Sequence, residues 1–589
     1  MINPTAFYNQ ALEKHSTEVA SLQKRILLLS TLRILVFIST SFAIYFSLPN
    51  WQMASICGLI GLTVFVYFLS KYTDVKSKRE LHKALVIINE EELKIASGNF
   101  HHRTSGSQFQ DPKHFYSLDI DLFGKGSFFQ YINRTNSSEG QQKLADALKA
   151  NNISNIKKRQ EAIQELSEEV KWIQNYAATA SLIATETPAP QIINWLKTHQ
   201  SFIPKQMKWV PWLFTFISVS LLSLAIFNIL DIRIFGYWLF VGLAITATYL
   251  KKINILASNS DKTKDTFKQY AALLLQIETK RFKSKLLQKK QQQIQSEHKE
   301  ASAIFSEFSK HLDALDNRNN LISAIFGNGY LLSDIKNAYK IEQWILKYAH
   351  KVDDWFEVVS FFDAYNSLGT YAFNHQTYVF PKISEVTGVI TAKQLGHPLL
   401  KAEKRITSDL IINNQEFFIV TGANMAGKST FLRTVSLHIV MANVGLPVCA
   451  KSSSYSPVKL ITSMRTSDSL TDDSSYFFSE LTRLKFIVDA IDKEPYFIIL
   501  DEILKGTNST DKAIGSRKFV KKLVAGHATG IIATHDLSLC EISEELDVVK
   551  NYYFDAEIVN DELYFDYKFK KGICQNMNAS FLLKKMKIV

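Results

Sequence analysis

Four long apolar stretches stand out against an otherwise mixed chain, and they come in two pairs. Residues 29–48, interrupted only by Arg33, are followed by 53–70; residues 209–230 are followed by 234–250, and neither of these last two holds a charge. Each approaches the roughly 20 apolar residues needed to cross a hydrocarbon layer. Within the pairs the connections are Pro49-Asn50-Trp51 and Asp231-Ile232-Arg233, which leave room only for a turn. Each pair therefore predicts a helical hairpin. Trp51, Trp209, Trp212 and Tyr237 fall near the ends, where interfacial aromatics gather, and Arg33 is close enough to an end to snorkel. Burial in a soluble core is the bland alternative; length, low charge and flanks disfavour it. A cleavable signal is disfavoured too, because the second apolar stretch follows the first at once.

Elsewhere the periodicity changes. Residues 153–176 and 260–350 repeat at helical spacing and predict an all-α region. Within it, 280–299 reads as a basic helical run containing Gln291-Gln292-Gln293, most simply a solvated face. The last 200 or so residues alternate short apolar runs with helical ones. Phe417-Phe418-Ile419-Val420-Thr421, Phe497-Ile498-Ile499-Leu500 and Ile531-Ile532-Ala533 read as buried strands of a doubly wound, mostly parallel α/β sheet. No low-complexity stretch or repeat beyond the paired hairpins is evident.

Charge then gives the hairpins a direction. Lys24 and Arg25 precede the first apolar stretch, and Lys71, Lys76, Lys78 and Arg79 follow the second. Lys205 and Lys208 precede the third, and Lys251 and Lys252 follow the fourth. Basic flanks stay inside, so the pattern predicts a multi-pass protein of the inner or plasma membrane with both termini cytoplasmic. The net charge of +12 suits anionic lipid headgroups or nucleic acid equally. Cys57, Cys449, Cys540 and Cys574 suit neither a disulfide framework nor a zinc site.

The chemistry sits at the strand ends. Gly422-Ala423-Asn424-Met425-Ala426-Gly427-Lys428-Ser429-Thr430 fits the phosphate-loop pattern and lies between a strand and a helix, which predicts an ATP site. The glycines let backbone N–H groups face phosphate, and the helix N-terminus adds its positive end. Lys428 is expected to reach the β/γ-phosphates and Ser429 to ligate Mg²⁺. Asp501 is a second expected Mg²⁺ ligand, and Glu502 orients or deprotonates the attacking water. Thr534-His535 ends a third strand, and His535 is placed to hydrogen-bond the γ-phosphate. No other small-molecule substrate is evident.

These motifs resemble the ATPase domain of MutS-type DNA mismatch repair proteins. The likeness rests on the phosphate loop with Asn424-Met425 inside it, Leu500-Asp501-Glu502, Gly506-Thr507, Asp511 and Thr534-His535. Tyr378-Val379-Phe380-Pro381 and His397-Pro398-Leu399 resemble the lead-in to that domain. Ser475-Tyr476-Phe477 with Glu480 resembles the family's Ser-Thr-Phe-x-x-Glu signature, although Asp472-Asp473-Ser474 stands where the family has Gly-Gly-Arg. The resemblance implies a homodimer in which Ser475 completes the partner's ATP site in trans. Asp119-Ile120-Asp121-Leu122-Phe123-Gly124 and residues 133–140 resemble the start of the MutS core domain, so DNA contacted through its phosphates is an implied partner.

The departures also carry expectations. Residues 1–110 leave no room for the wedge domain that reads mismatches; Phe305-Ser306-Glu307 matches the wedge letters, but within a charged helical stretch. The clamp on the lever helices is expected to be short or absent, and no nuclease-like domain is expected after the ATPase. The expected division is an N-terminal segment 1–28, hairpins 29–70 and 209–250, a linker 71–110, core 111–208, core and lever helices 251–376, and an ATPase domain 377–589. An ATP-binding-cassette-type transporter, or an ATP-driven membrane-protein regulator without DNA binding, is the alternative. The cassette reading lacks the Leu-Ser-Gly-Gly-Gln signature, and Lys428 lies only 73 residues before Asp501. A polar segment of more than 100 residues also separates the hairpins.

Overall fold

The computed structural model describes residues 3–575 apart from 184–186, 296–298, 317, 319, 385–387, 466–475, 506 and 560–561. The chain opens on two long helices, α1 (Pro4–Ser47) and α2 (Trp51–Ala96), which form one antiparallel hairpin. Asn3 and Asn50 cap them, each side chain accepting two backbone N–H groups of the first turn. The boundaries expected at 28/29 and 70/71 therefore fall inside helices, and 71–96 is helix rather than linker, since no Gly or Pro interrupts it. Only 6% of the apolar window of each helix is buried, so apart from their contact with each other these windows are largely exposed.

A helical body follows: α3 (Phe128–Ile132), α4 (Ser138–Lys149), α5 (Ile156–Glu168), α6 (Val170–Ser181) and α7 (Ala189–Thr198). The run expected over 153–176 breaks at Glu169, which lets α5 lie on the long helix below and α6 reach back to α2. Next come α8 (Val210–Ile226) and α9 (Ile232–Thr279). The third apolar stretch is thus a shorter helix than expected. It stops before Asn228, whose φ is 59°, and α9 begins where the Asp231 carboxylate accepts the N–H of Arg233 at 2.8 Å. By length and composition α1, α2 and α9 suffice to cross a membrane; α8, with 17 residues, is shorter. The boundary expected at 250/251 lies inside α9.

Then come α10 (Lys285–Gln292), α11 (Ala301–Asp316), α12 (Leu321–Leu331) and the 42-residue α13 (Ser333–Asn374). The basic run expected over 280–299 is not one helix. α9 ends at Thr279, and Gln291 donates to the carbonyls of Ile277 and Lys280, both at 2.6 Å, closing off that end. Phe305 is fully buried, so it cannot stack on a base. α13 packs along α4, α5, α6, α7, α9 and α11.

The rest of the described chain is α/β: β1 (Lys382–Ile383), β2 (Ile390–Leu395), β3 (Ser408–Ile412), β4 (Phe417–Gly422), α14 (Lys428–Val444), β5 (Ser452–Tyr455), β6 (Lys459–Ser463), α15 (Tyr476–Ile491), β7 (Tyr496–Asp501), α16 (Ser509–Ala525), β8 (Thr529–Ala533), β9 (Val549–Phe554), β10 (Glu557–Val559), β11 (Glu562–Tyr564) and β12 (Lys570–Lys571). The main sheet runs β12-β9-β4-β8-β7-β6 and is parallel except at β12. A second sheet, β1-β5-β2-β3, was not expected from the sequence.

The helical body grips this domain at named points. Arg159 of α5 donates to the carbonyl of Asn443, capping the C-terminus of α14. Asp119 accepts from the Thr462 hydroxyl at 2.5 Å and the Arg465 N–H at 2.9 Å, while Asp121 pairs with Arg433 of α14 and with Arg465. Asp363 of α13, buried so that its carboxyl is pushed above the ordinary range, accepts the N–H groups of Asn136 and Ser137 and the Ser137 hydroxyl. The hairpin is fastened to the same region by a buried Arg134–Glu92 pair, with Asn374 also donating to Glu92 at 2.9 Å. Tyr8 reaches the side chain of Asn374 at 2.7 Å, beside the Phe7–Phe373 ring contact.

Candidate functional site

Strand order decides which side chains meet. β4, β8 and β7 are adjacent, so their C-terminal ends deliver the phosphate loop, His535 and Asp501-Glu502 to one edge. The loop turns on glycines at φ 147° (Gly422) and 104° (Gly427); a Cβ on Gly422 would lie 2.6 Å from the Phe554 carbonyl oxygen. Met425 between them holds φ 67° and is 78% exposed, so the loop crest presents backbone rather than packed side chains. Ala426 is buried beneath the crest, while Asn424, Ser429 and Thr430 face solvent.

The Ser429 hydroxyl donates to the Asp501 carboxylate at 2.7 Å. A hydroxyl and a carboxylate side by side are the hard oxygen donors Mg²⁺ prefers, so these residues fit that ion. Lys428, 6% exposed, donates to the carbonyls of Gly422 (2.6 Å) and Ala423 (3.0 Å). Burial lowers its pKa, opposed by the charges of Asp501 and Glu502.

Glu502 holds φ 48° just past β7, with its N–H bonded to the Ala533 carbonyl at 2.9 Å. Its carboxylate lies 3.1 Å from His535 Nε2 and 3.5 Å from Lys505 Nζ. His535 Nε2 is also 3.3 Å from Lys428 Nζ. Lys428 can only donate and Glu502 can only accept, so the tautomer of His535 decides which it engages. Burial first, then the neighbouring Lys428, lowers the His535 pKa. Both effects favour the neutral imidazole.

Two features of the site, a cleft and the anchoring role of Glu480, were not legible in the sequence. A cleft of about 690 Å³ extends from these residues to His397, Ile406, Phe554 and Tyr567. Tyr567 packs over Gly427 from a loop 140 residues downstream, a proximity no local pattern announces. Burial pushes His397 down to about 4, so it too lines the cleft as a neutral ring. The second feature is Glu480. It is 3% exposed and accepts the N–H groups of Leu504 (2.6 Å) and Lys505 (3.0 Å), tying α15 to the loop that follows Glu502. Ser475 and its acidic neighbours Asp472 and Asp473 lie outside the described residues, as does Gly506.

A phosphate loop, a Ser–Asp oxygen pair and a Glu–His pair on adjacent strand ends define a nucleotide-site geometry. Comparison with known sequences narrows it. Residues 418–586 match MutS domain V. Among curated relatives, the human "MutS protein homolog 4" is 35% identical over 214 residues, 34% of this chain and 22% of that protein. "DNA mismatch repair protein MutS" of Thermodesulfovibrio yellowstonii is 32% identical over 242 residues, 39% of this chain and 28% of that protein. The chain thus spans about a quarter of the length of the curated relatives it matches. The MutS domain V match covers the main sheet and every phosphate-loop, Asp501, Glu502 and His535 position. Between Lys428 and Asp501 the described residues hold α14, β5, β6, α15 and β7, with no inserted helical subdomain of the kind a transport cassette carries.

Proposed function

We propose that this chain is a membrane-anchored, MutS-like ATPase that works as a homodimer and turns ATP binding and hydrolysis into movement of its long helices. The observation that carries this reading is the Ser429–Asp501 contact at 2.7 Å beside the Glu502–His535 pair at 3.1 Å. One pair supplies the oxygens for Mg²⁺ and the other a base with an orienting partner.

The loop amides and Lys428 bind the phosphates and leave the γ-phosphate facing Glu502 and His535. Glu502 accepts a proton from the attacking water. Neutral His535 fixes the carboxylate when Nε2 is protonated, and it releases Glu502 to engage Lys428 in the other tautomer. Mg²⁺ bound at Ser429 and Asp501 supplies neutralisation of phosphoryl charge. The resemblance implies that Ser475 of each protomer completes the other's nucleotide site, so ATP would close the dimer and hydrolysis reopen it. α13 connects the α/β domain to the apolar helices, which makes it the carrier of that motion.

The membrane reading rests on the nearly bare apolar windows of α1 and α2 and on the basic flanks. Alkaline carbonate should leave the protein in the membrane pellet, and reporters fused at Met1 and Val589 should both report cytoplasm. DNA, if held, is held by its backbone, since Phe305 is buried. Hydrolysis is tested with Glu502→Gln, which keeps the shape and removes the base. ATP should still bind, and the rate should fall on the order of a hundredfold. A near-normal rate would remove Glu502 from the chemistry.

A further inference from the structure

α12 is an apolar helix of 11 residues, half the length that a membrane-crossing pattern requires. Its outer face is bare: Leu321 is 73% exposed, Ile322 69% and Phe326 54%. Its inner face packs mainly on the apolar segments of α8 and α9, with a smaller contact to α13. Gly329 lies against Leu239 and Gly242, so close that neither glycine has room for a Cβ. Tyr330 stacks on Phe235 with ring centroids 4.2 Å apart. The Ser218 hydroxyl donates to the Tyr330 carbonyl at 2.7 Å and accepts from Trp238 Nε1 at 2.8 Å.

These contacts set a depth. Ser218 is eight residues past the start of α8, about 12 Å along it. Two residues after α12, α13 is already under way, and Lys336 sits 4.4 Å over the ring of Trp212 near the basic end of α8. The chain therefore enters and leaves on the same side. We propose that α12 is a third membrane-embedded element, a half-depth helix whose outer face is covered by lipid acyl chains; this rests on the membrane reading above.

Two observations favour acyl chains over another occupant. The helices that α12 packs on, α8 and α9, are themselves bare and apolar, with Phe216 70% exposed and Phe240 64%. Several backbone groups at the two ends of α12 also find internal partners, as hydrocarbon demands. The Asn320 side chain accepts the N–H groups of Ile322 and Ser323, and the Leu332 N–H bonds the Gly327 carbonyl. Asn328 accepts the Asp334 N–H, and Arg318 pairs with Asp334 at the point of exit.

The test uses the full chain in phosphatidylethanolamine–phosphatidylglycerol vesicles, with Cys57→Ser to remove the partly exposed thiol; the other three cysteines are buried. Nitroxide labels go on Phe326→Cys, on Leu35→Cys in α1, and on Ile87→Cys in the part of α2 beyond its apolar stretch. Collisions with oxygen report hydrocarbon, and collisions with a water-soluble nickel chelate report solvent. Phe326 should match Leu35, with oxygen dominant and nickel excluded, while Ile87 shows the reverse. Phe326 matching Ile87 while Leu35 remains in hydrocarbon overturns the proposal and leaves the membrane reading standing. Nickel dominance at all three sites sinks both. Ile322→Cys repeats the measurement on the same face if the Phe326 variant does not fold.

Discussion

Glu480 offers a way to disturb the candidate site without touching nucleotide. Its carboxylate accepts two backbone N–H groups, from Leu504 and Lys505, two and three residues beyond Glu502. In Glu480→Ala the Leu504 N–H, buried, loses its partner, at a cost of about 1–3 kcal/mol. The Lys505 N–H is nearer solvent and water replaces much of its bond. That local cost falls on the loop that holds Glu502 at φ 48°, a strained backbone that relaxes once the loop is released. A displacement near 1 Å at the base lowers a rate by about a hundredfold, so kcat should drop roughly 10- to 100-fold. Lys428, Ser429 and the loop amides are untouched, and nucleotide affinity should change less than about threefold, under 0.7 kcal/mol. Glu480→Gln keeps one acceptor and should fall between wild type and alanine. Steady-state hydrolysis together with a fluorescent-nucleotide titration separates kcat from binding. A kcat within about twofold of wild type in a folded Glu480→Ala protein would refute the reasoning, because a twofold change is only about 0.4 kcal/mol.

Mixing inactive Lys428→Ala subunits with inactive Ser475→Ala subunits should restore part of the activity, since one intact composite site forms; no rescue in verified heterodimers would end the trans assignment. Acid should weaken the fold from an early pH. Burial pushes His375, His397 and His438 each down to about 4. The unfolded chain takes up those protons first, so this stability is complete above about pH 6.5 and is lost as pH falls toward 4, by up to about 1.4 kcal/mol per pH unit for each ring. Thermal melts from pH 7 to 5 should show the decline, and His438→Gln, which removes the fully buried ring, should flatten it. The acid limb of activity should have its midpoint below that of a free imidazole, because burial and the neighbouring Lys428 lower the His535 pKa; a midpoint at or above 6.5 would contradict that. DNA affinity, if present, should fall steeply with salt and should not separate matched from mismatched duplex, and a tenfold preference for the mismatch would reveal a reader outside the buried Phe305.

Much of the site could be read because its residues are neighbours in sequence or end consecutive apolar runs. The loop 422–430 needs only its own glycines and the strand before it. Asp501-Glu502 and Thr534-His535 were readable as strand ends, and adjacency of β4, β8 and β7 brings them together. Tyr567 and the Glu480 anchor were not readable in the same way, since each acts through a fold-dependent contact. Among the helices, apolar windows located α1, α2 and α9 but not their lengths, because the polar continuations carry no breaker. α8 was overestimated: the apolar letters continue through 227–230, but the backbone turns at Asn228. α12 escaped notice because half a span of apolar residues looks like any core helix until its partners are known.

α13 is held at both ends. At its start it follows directly on α12, which leans on α8 and α9; at its finish Phe373 and Asn374 are held by Tyr8 of α1 and Glu92 of α2. Its 42 residues make a strut of about 63 Å. On the membrane reading proposed above, the two hairpins, the strut and the bilayer form a closed linkage, like the members of a truss. In such a frame no single member slides alone. A shift of α13 driven from the α/β domain has to tilt at least one hairpin, and a hairpin tilted by a change in bilayer thickness has to push back on α13. If that reading holds, nucleotide turnover and membrane thickness become two inputs to one mechanical degree of freedom.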